Sequence, residues 1–129
     1  MRVLLDTQCW LWMRTEPDRL SRRVRKLVSN PATRLVVSTA SCWEIAIKYA
    51  IGRLSLPAPP ADYIPRIVAE DAIALLDSGL THVLHVAVLP HHHGDPFDRL
   101  LIAQALIERL PVVTSDPRFS DYGVDVVDV

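Results

Sequence analysis

The chain has 129 residues, half of them hydrophobic, and a formal net charge of −1. That is the size and balance of one globular domain spanning 1–129, and it excludes disordered, fibrous and strongly polyanion-seeking classes. Cys9 and Cys42 have neither the number nor the spacing of a disulfide framework or a zinc site, and read as small core residues of a protein from a reducing compartment.

Arg2 to Leu5 is a short apolar strand ended by Asp6, and Asp6 also interrupts what would otherwise be a signal-like apolar core. A short helix over 8–13 follows. RLSRRVRKLV carries Arg19, Arg22, Arg23, Arg25 and Lys26 beside Leu20, Val24, Leu27 and Val28, which fall on one face of a helix over 19–29. The basic side then reads as a solvated outer face, with a phosphate-binding surface as the alternative. A second strand at 35–38 leads into a helix over 40–51. The Pro-rich PAPPADYIP is a stiff connection into a helix over 61–70.

A third strand at 73–76 precedes a helix over 79–88, on which His82 and His85 read as packing or surface residues. His91, His92 and His93 then sit in a loop, because three consecutive histidines cannot face one metal from regular structure; His93 is the best placed to reach substrate. A helix over 96–109 is apolar on most sides and must lie in the middle of the fold. Strands at 111–114 and 124–127 complete the chain. Strands alternating with helices predict an α/β domain around a parallel sheet of about five strands. No run approaches the ~18 apolar residues of a membrane span, so a cytoplasmic protein is expected.

Acids carry the chemistry. Asp6 and Asp116 each close a strand, and in parallel sheets ligands gather beyond the carboxyl ends of the strands; taken singly, each serves equally well as a helix N-cap. Asp77 and Asp128 also lie near strand ends, so position alone does not choose among the four. Ser41-Cys42-Trp43-Glu44 fits an S-x-x-E capping box, and Glu44 with Lys48 makes an i,i+4 pair. Asp95 reads as the N-cap of the last helix, Pro96 as its first residue and Asp98 as a first-turn acid. Brought to one edge, such carboxylates repel, by about 4 kcal/mol for a pair at ~4 Å and an effective dielectric of 20. A divalent cation relieves that cost. Trp10, Trp12 and Trp43 read as core or interface residues, and the four glycines form no phosphate-binding loop. A phosphatase of the haloacid-dehalogenase kind needs D-x-D, where this chain has Gln8, and a receiver domain needs an acidic pair that is absent.

MRVLLDTQCWLW, STASCWEIAIKYAIGRLSL, LPHHHGDPFDRLLIAQA and LPVVTSDPRFSDY, in this order and covering essentially the whole chain, resemble the PIN domain of VapC-type toxins. The resemblance implies a three-layer α/β/α fold and an Mg²⁺-dependent ribonuclease, with Mn²⁺ as the alternative ion. Matched residue by residue, it assigns the catalytic and metal-binding acids to Asp6, Glu44, Asp98 and Asp116. It leaves Asp95, Thr114, Ser115, Thr7, Lys48 and His93 as supporting or substrate-facing residues. It also implies an RNA substrate, a small VapB-like antitoxin that occupies the groove, and a homodimer. Gln8 departs from the histidine that often follows the first motif, which leaves that residue's auxiliary role without a counterpart here. The non-enzymatic alternative is a PIN-like module that binds RNA or a protein and uses its acids as caps.

Overall fold

Strands whose residues are apolar at successive positions must be covered on both faces, and parallel sheets are the arrangement that does so. The computed structural model describes residues 1–129. It contains β1 (Arg2–Leu5), α1 (Thr7–Thr15), α2 (Arg22–Ser29), β2 (Arg34–Ser38), α3 (Thr39–Ala50), α4 (Pro60–Glu70), β3 (Ala74–Leu76), α5 (Leu80–His85), α6 (Pro96–Glu108), β4 (Val112–Thr114) and β5 (Val126–Asp128). Short 3₁₀ turns occupy Pro17–Arg19, Val86–Val88 and Pro117–Tyr122. The sheet is parallel throughout, in the order β3-β2-β1-β4-β5.

That order puts β1 in the centre. The chain proceeds from β1 outward through β2 to β3, then returns to β4 on the other side of β1, so the switch point lies between β1 and β4. Loops leaving those two strands diverge and open a crevice at their carboxyl ends. Two cores flank the sheet. Val3, Leu5, Leu35, Val37 and Val113 face Trp10, Val24, Ile45, Tyr63 and Ile67 from the α1 to α4 layer. Leu4, Val36 and Val112 face Leu101, Ile102 and Ala105 of α6, with Phe119. The alternation of Val3, Leu4 and Leu5 between the two cores is the period-2 signature of a strand buried on both sides. The three-layer α/β/α architecture expected from the sequence is the one observed.

Several boundaries differ, for local reasons. The basic helix begins at Arg22, not 19, because the Ser21 hydroxyl accepts the Val24 N–H at 3.2 Å and caps it. Its arginines are exposed and Val24 is fully buried, as a solvated outer face requires. The helix expected over 79–88 tightens into a 3₁₀ turn at Val86. The last strand is shifted to Val126–Asp128.

At the opposite end of the sheet, Asp71 ties α1 to the α4–β3 connection. Its carboxylate accepts from Arg14 Nη1 at 2.6 Å and Trp10 Nε1 at 3.3 Å. Asp71→Ala leaves the indole N–H unpaired and the Arg14 guanidinium held only by Glu70, so a loss of about 1–2 kcal/mol is expected in urea unfolding, with little change in m-value.

Candidate active site

Asp6 follows β1 and caps α1, its Oδ1 accepting the Cys9 N–H at 2.7 Å. It is nevertheless 7 % exposed, and that burial raises its carboxyl above the ordinary range. The Thr114 hydroxyl and the Cys9 N–H pull it back, and the Glu44 charge adds to the rise. Cap and site role therefore coexist in one residue. Asp116, at the end of β4, is also a cap: Oδ1 accepts the Arg118 N–H at 2.9 Å and opens the turn at Pro117. Thr114 accepts the Asp116 N–H at 3.0 Å, which fixes the strand end beside Asp6.

Glu44 corrects the sequence-based expectation. The N-cap of α3 is Ser38, whose hydroxyl accepts the Ala40 N–H at 3.0 Å, one turn before the expected capping box. Ser41 instead accepts from the Thr7 hydroxyl at 2.8 Å and locks α3 to α1. Glu44 therefore has no capping role. The expected pair with Lys48 is present, Nζ to Oε2 at 2.6 Å, yet Oε1 is buried without a partner. A buried carboxylate oxygen without a partner is the donor chemistry that suits a hard cation.

On α6, Asp95 caps the helix by accepting from the Phe97 and Asp98 N–H groups at 2.8 and 3.0 Å. Asp98, one turn in, is free of that task. Burial pushes its carboxyl up to about 7, with Asp95 charge repulsion next, His93 opposing, and Glu44 and Asp6 adding to the rise. Asp116 goes the other way, to about 2, held down chiefly by the Arg118 guanidinium against the opposing effect of burial. Arg118 Nε and Nη2 meet Oδ1 and Oδ2 at 3.0 and 2.9 Å. Its side chain is 54 % exposed, so it can swing out.

These side chains line one cleft of about 470 Å³ with Thr7, Gln8, Lys48, Arg53, Asp95 and Ser115. The other two strand-end candidates, Asp77 and Asp128, are exposed and do not line it. His91, His92 and His93 lie in a loop as expected, with His91 and His92 exposed, but the His93 side chain turns inward and the residue is 5 % exposed. One ligand atom each from His93, Asp98 and Asp116 lies within 4.8 Å of the others. Trp10 is core, whereas Trp43 is 59 % exposed and packs edge-to-face on Phe97 at 5.0 Å beside the site.

Arg53, Arg118 and Arg99 carry roles that local patterns did not indicate. Arg99 is buried, and its guanidinium donates to the carbonyls of Val86, Leu89 and Pro90 at 3.0, 3.3 and 2.8 Å. Nη1 also reaches Tyr122 Oη at 3.2 Å, and that oxygen accepts the N–H groups of His92 and His93 at 3.0 and 2.8 Å. Arg99 thus staples the loop that delivers His93. Arg99→Lys is expected to cost about 2–4 kcal/mol, since an ammonium cannot span these carbonyls. Faster amide exchange at His92 and His93 is the accompanying signal.

Donor chemistry fits a hard divalent cation: carboxylate oxygens dominate, one is orphaned, and two acids are held above their ordinary range by burial and by neighbouring acids. The PIN domain family model matches residues 3–125. The chain belongs to the PIN-domain family. Over 120 residues it is 29 % identical to ribonuclease VapC22 of Mycobacterium tuberculosis, covering 93 % of this chain and 91 % of that protein. This PIN domain also superposes on the DNA-bound VapBC2 structure from Rickettsia felis with a TM-score of 0.72 and 14 % identity, covering 99 % of this chain and 98 % of that one. DNA-bound VapBC from Salmonella typhimurium gives 0.68 and 19 % over 99 % and 98 %. At such identities these structures speak for the fold of this PIN domain.

Proposed function

We propose that this PIN-domain protein is an endoribonuclease that uses Mg²⁺ or Mn²⁺ to hydrolyse RNA phosphodiester bonds, and that it is the toxin of a type II toxin–antitoxin pair. One observation carries the reading: Asp6, Glu44, Asp98 and Asp116, contributed by four separate elements, share one cleft. A binding module whose acids serve as caps accounts for Asp6 and Asp116 but leaves Glu44 Oε1 buried and unpaired.

Asp6, Asp98 and Asp116 would hold the ion, with Glu44 Oε1 aimed at the same space. An ion held there would supply a water of lowered pKa as nucleophile and a positive charge opposite the attacked phosphate. Lys48 and Arg53 line the cleft and offer cations to the backbone phosphates on either side of the scissile bond. Lys48 also orients Glu44 through their ion pair. Thr7, Thr114 and Ser115 fix the polypeptide around the acids, and Asp95 fixes the start of α6.

VapC22 is named a ribonuclease, and the structural neighbours are VapBC complexes. These support an RNA substrate and a VapB-like antitoxin for this chain. A basic antitoxin side chain would meet the cleft acids much as Arg118 meets Asp116. Homodimerisation is supported by an exposed apolar strip on and after α5, where Leu80, Leu84 and Val88 are 74 %, 61 % and 72 % exposed. No helix is long and apolar enough to cross a membrane, and both cysteines are free, in keeping with a cytoplasmic location.

Purified protein incubated with RNA and Mn²⁺ or Mg²⁺ is expected to cleave, and a chelator to stop it. Cleavage indifferent to chelation sinks the metal-dependent reading. Growth arrest on expression, relieved by a small partner encoded beside it, tests the toxin role.

A further inference from the structure

We infer that His93 is a positioning residue, a neutral imidazole whose Nε2–H is donated to Asp116 beside Asp98, and that it is not itself a ligand of the ion. This rests on the nuclease function proposed above for its consequence, but on hydrogen-bond geometry for its content.

Nδ1 of His93 lies 3.0 Å from the backbone nitrogen of Asp95 and receives its hydrogen. A backbone N–H can only donate, so Nδ1 must present its lone pair. The ring proton therefore sits on Nε2. That nitrogen donates to Asp116 Oδ2 at 2.9 Å, and Asp98 Oδ2 lies beside it at 2.9 Å, off the line of the N–H. A nitrogen bearing that proton has no lone pair for a cation, and losing it while Nδ1 remains an acceptor would require an imidazolate. His93 is thus near enough to the acids to resemble a ligand and has the wrong tautomer to be one.

The ring cannot turn over to change that. Its side chain is 3 % exposed, Phe119 packs edge-on against it at 6.2 Å, and Tyr122 Oη accepts the His93 backbone N–H. Arg99 holds the carbonyls of the preceding loop. The same Asp95 that caps α6 through its side chain sets the tautomer through its backbone. One N–H donated to Asp116 Oδ2 with Asp98 Oδ2 beside it sets a partial positive charge against both carboxylates and fixes the orientation of Asp116. Fixing carboxylate orientation from behind is the support on which ion affinity depends.

The test reads the imidazole directly. In ¹⁵N-labelled protein, the long-range proton–nitrogen spectrum of His93, assigned by its disappearance in His93→Gln, is expected to show the neutral Nε2–H tautomer both without ions and with saturating Mg²⁺. A Nδ1–H tautomer in either state overturns the proposal, as does loss of the Nε2 proton on adding Mg²⁺. A second comparison separates donor from bulk: by calorimetry, His93→Gln, which keeps an N–H donor, is expected to bind Mn²⁺ within a few-fold of the parent. His93→Leu is expected to bind roughly 10- to 100-fold more weakly. Equal weakening in both variants counts against a donor role. Should the parent bind no Mn²⁺, the nuclease function fails, while the tautomer of ion-free His93 still decides the donor role by itself.

Discussion

Asp98→Asn is expected to cut RNA cleavage about 10³-fold and, without divalent ions at pH 8, to leave the protein more stable than its parent. Activity falls because the substitution removes a charged oxygen ligand where the phosphate gains charge, a loss of about 4 kcal/mol in barrier height or roughly 10³-fold in rate. Stability rises for the reason that makes the residue useful. Its carboxyl is pushed to about 7 against an ordinary value of 3.8, first by burial and then by Asp95, Glu44 and Asp6. A raised acid holds its proton in the folded state at pH values where the unfolded chain has released it, so folding is opposed as the pH climbs from about 4 to 7. The neutral amide is free of that cost. After solvent screening the gain is on the order of 1–2 kcal/mol, visible in urea unfolding at pH 8 and vanishing near pH 4. An inactive variant that is also less stable at pH 8 argues for a capping or packing role. Asp116 has the opposite sign. Its carboxyl lies at about 2, so its contribution to folding is present above the ordinary carboxylate range and is lost as the pH falls towards 2.

Saturating Mn²⁺ or Mg²⁺ is expected to raise the unfolding temperature of the ion-free protein, and more at pH 8 than at pH 5. An ion at 100 times its dissociation constant stabilises the native state by about 2.7 kcal/mol, roughly 10 °C for a domain of this size. The pH dependence follows from Asp98 and Asp6, both raised by burial and by neighbouring charge. Binding must displace the proton that Asp98 carries at pH 5, which weakens the ion, whereas at pH 8 the site is charged and repulsive until the ion enters. Differential scanning fluorimetry at the two pH values measures both effects. A shift larger at pH 5 contradicts the carboxylate site, and no shift at either pH argues against an ion in this cleft. Arg118 adds a competitor, because its guanidinium occupies both oxygens of Asp116 and must yield one to the ion.

Much of the site was legible from the sequence because its acids sit at ends of elements. Asp6 and Asp116 close apolar strands, and Asp95-Pro96 announces the start of α6; each is specified by residues within one turn, where dihedral preference and capping chemistry act. Glu44 shows the limit of such local signals. Its S-x-x-E pattern is present, yet Ser38 ends β2 with its hydroxyl already on the Ala40 N–H, so the helix starts early and Ser41 turns to Thr7.

By itself, then, the sequence determined the α/β alternation, the strand ends that carry Asp6 and Asp116, and a buried helix beginning at Asp95. The family resemblance chose which acids to group. Tertiary structure alone decided that Arg99 staples the histidine loop, that Trp43 is exposed, and that His93 reaches Asp116, 23 residues away. The reason is physical: the order β3-β2-β1-β4-β5 sets β4 beside β1, and no local periodicity encodes which strands become neighbours. A side chain's burial and partners follow from that adjacency.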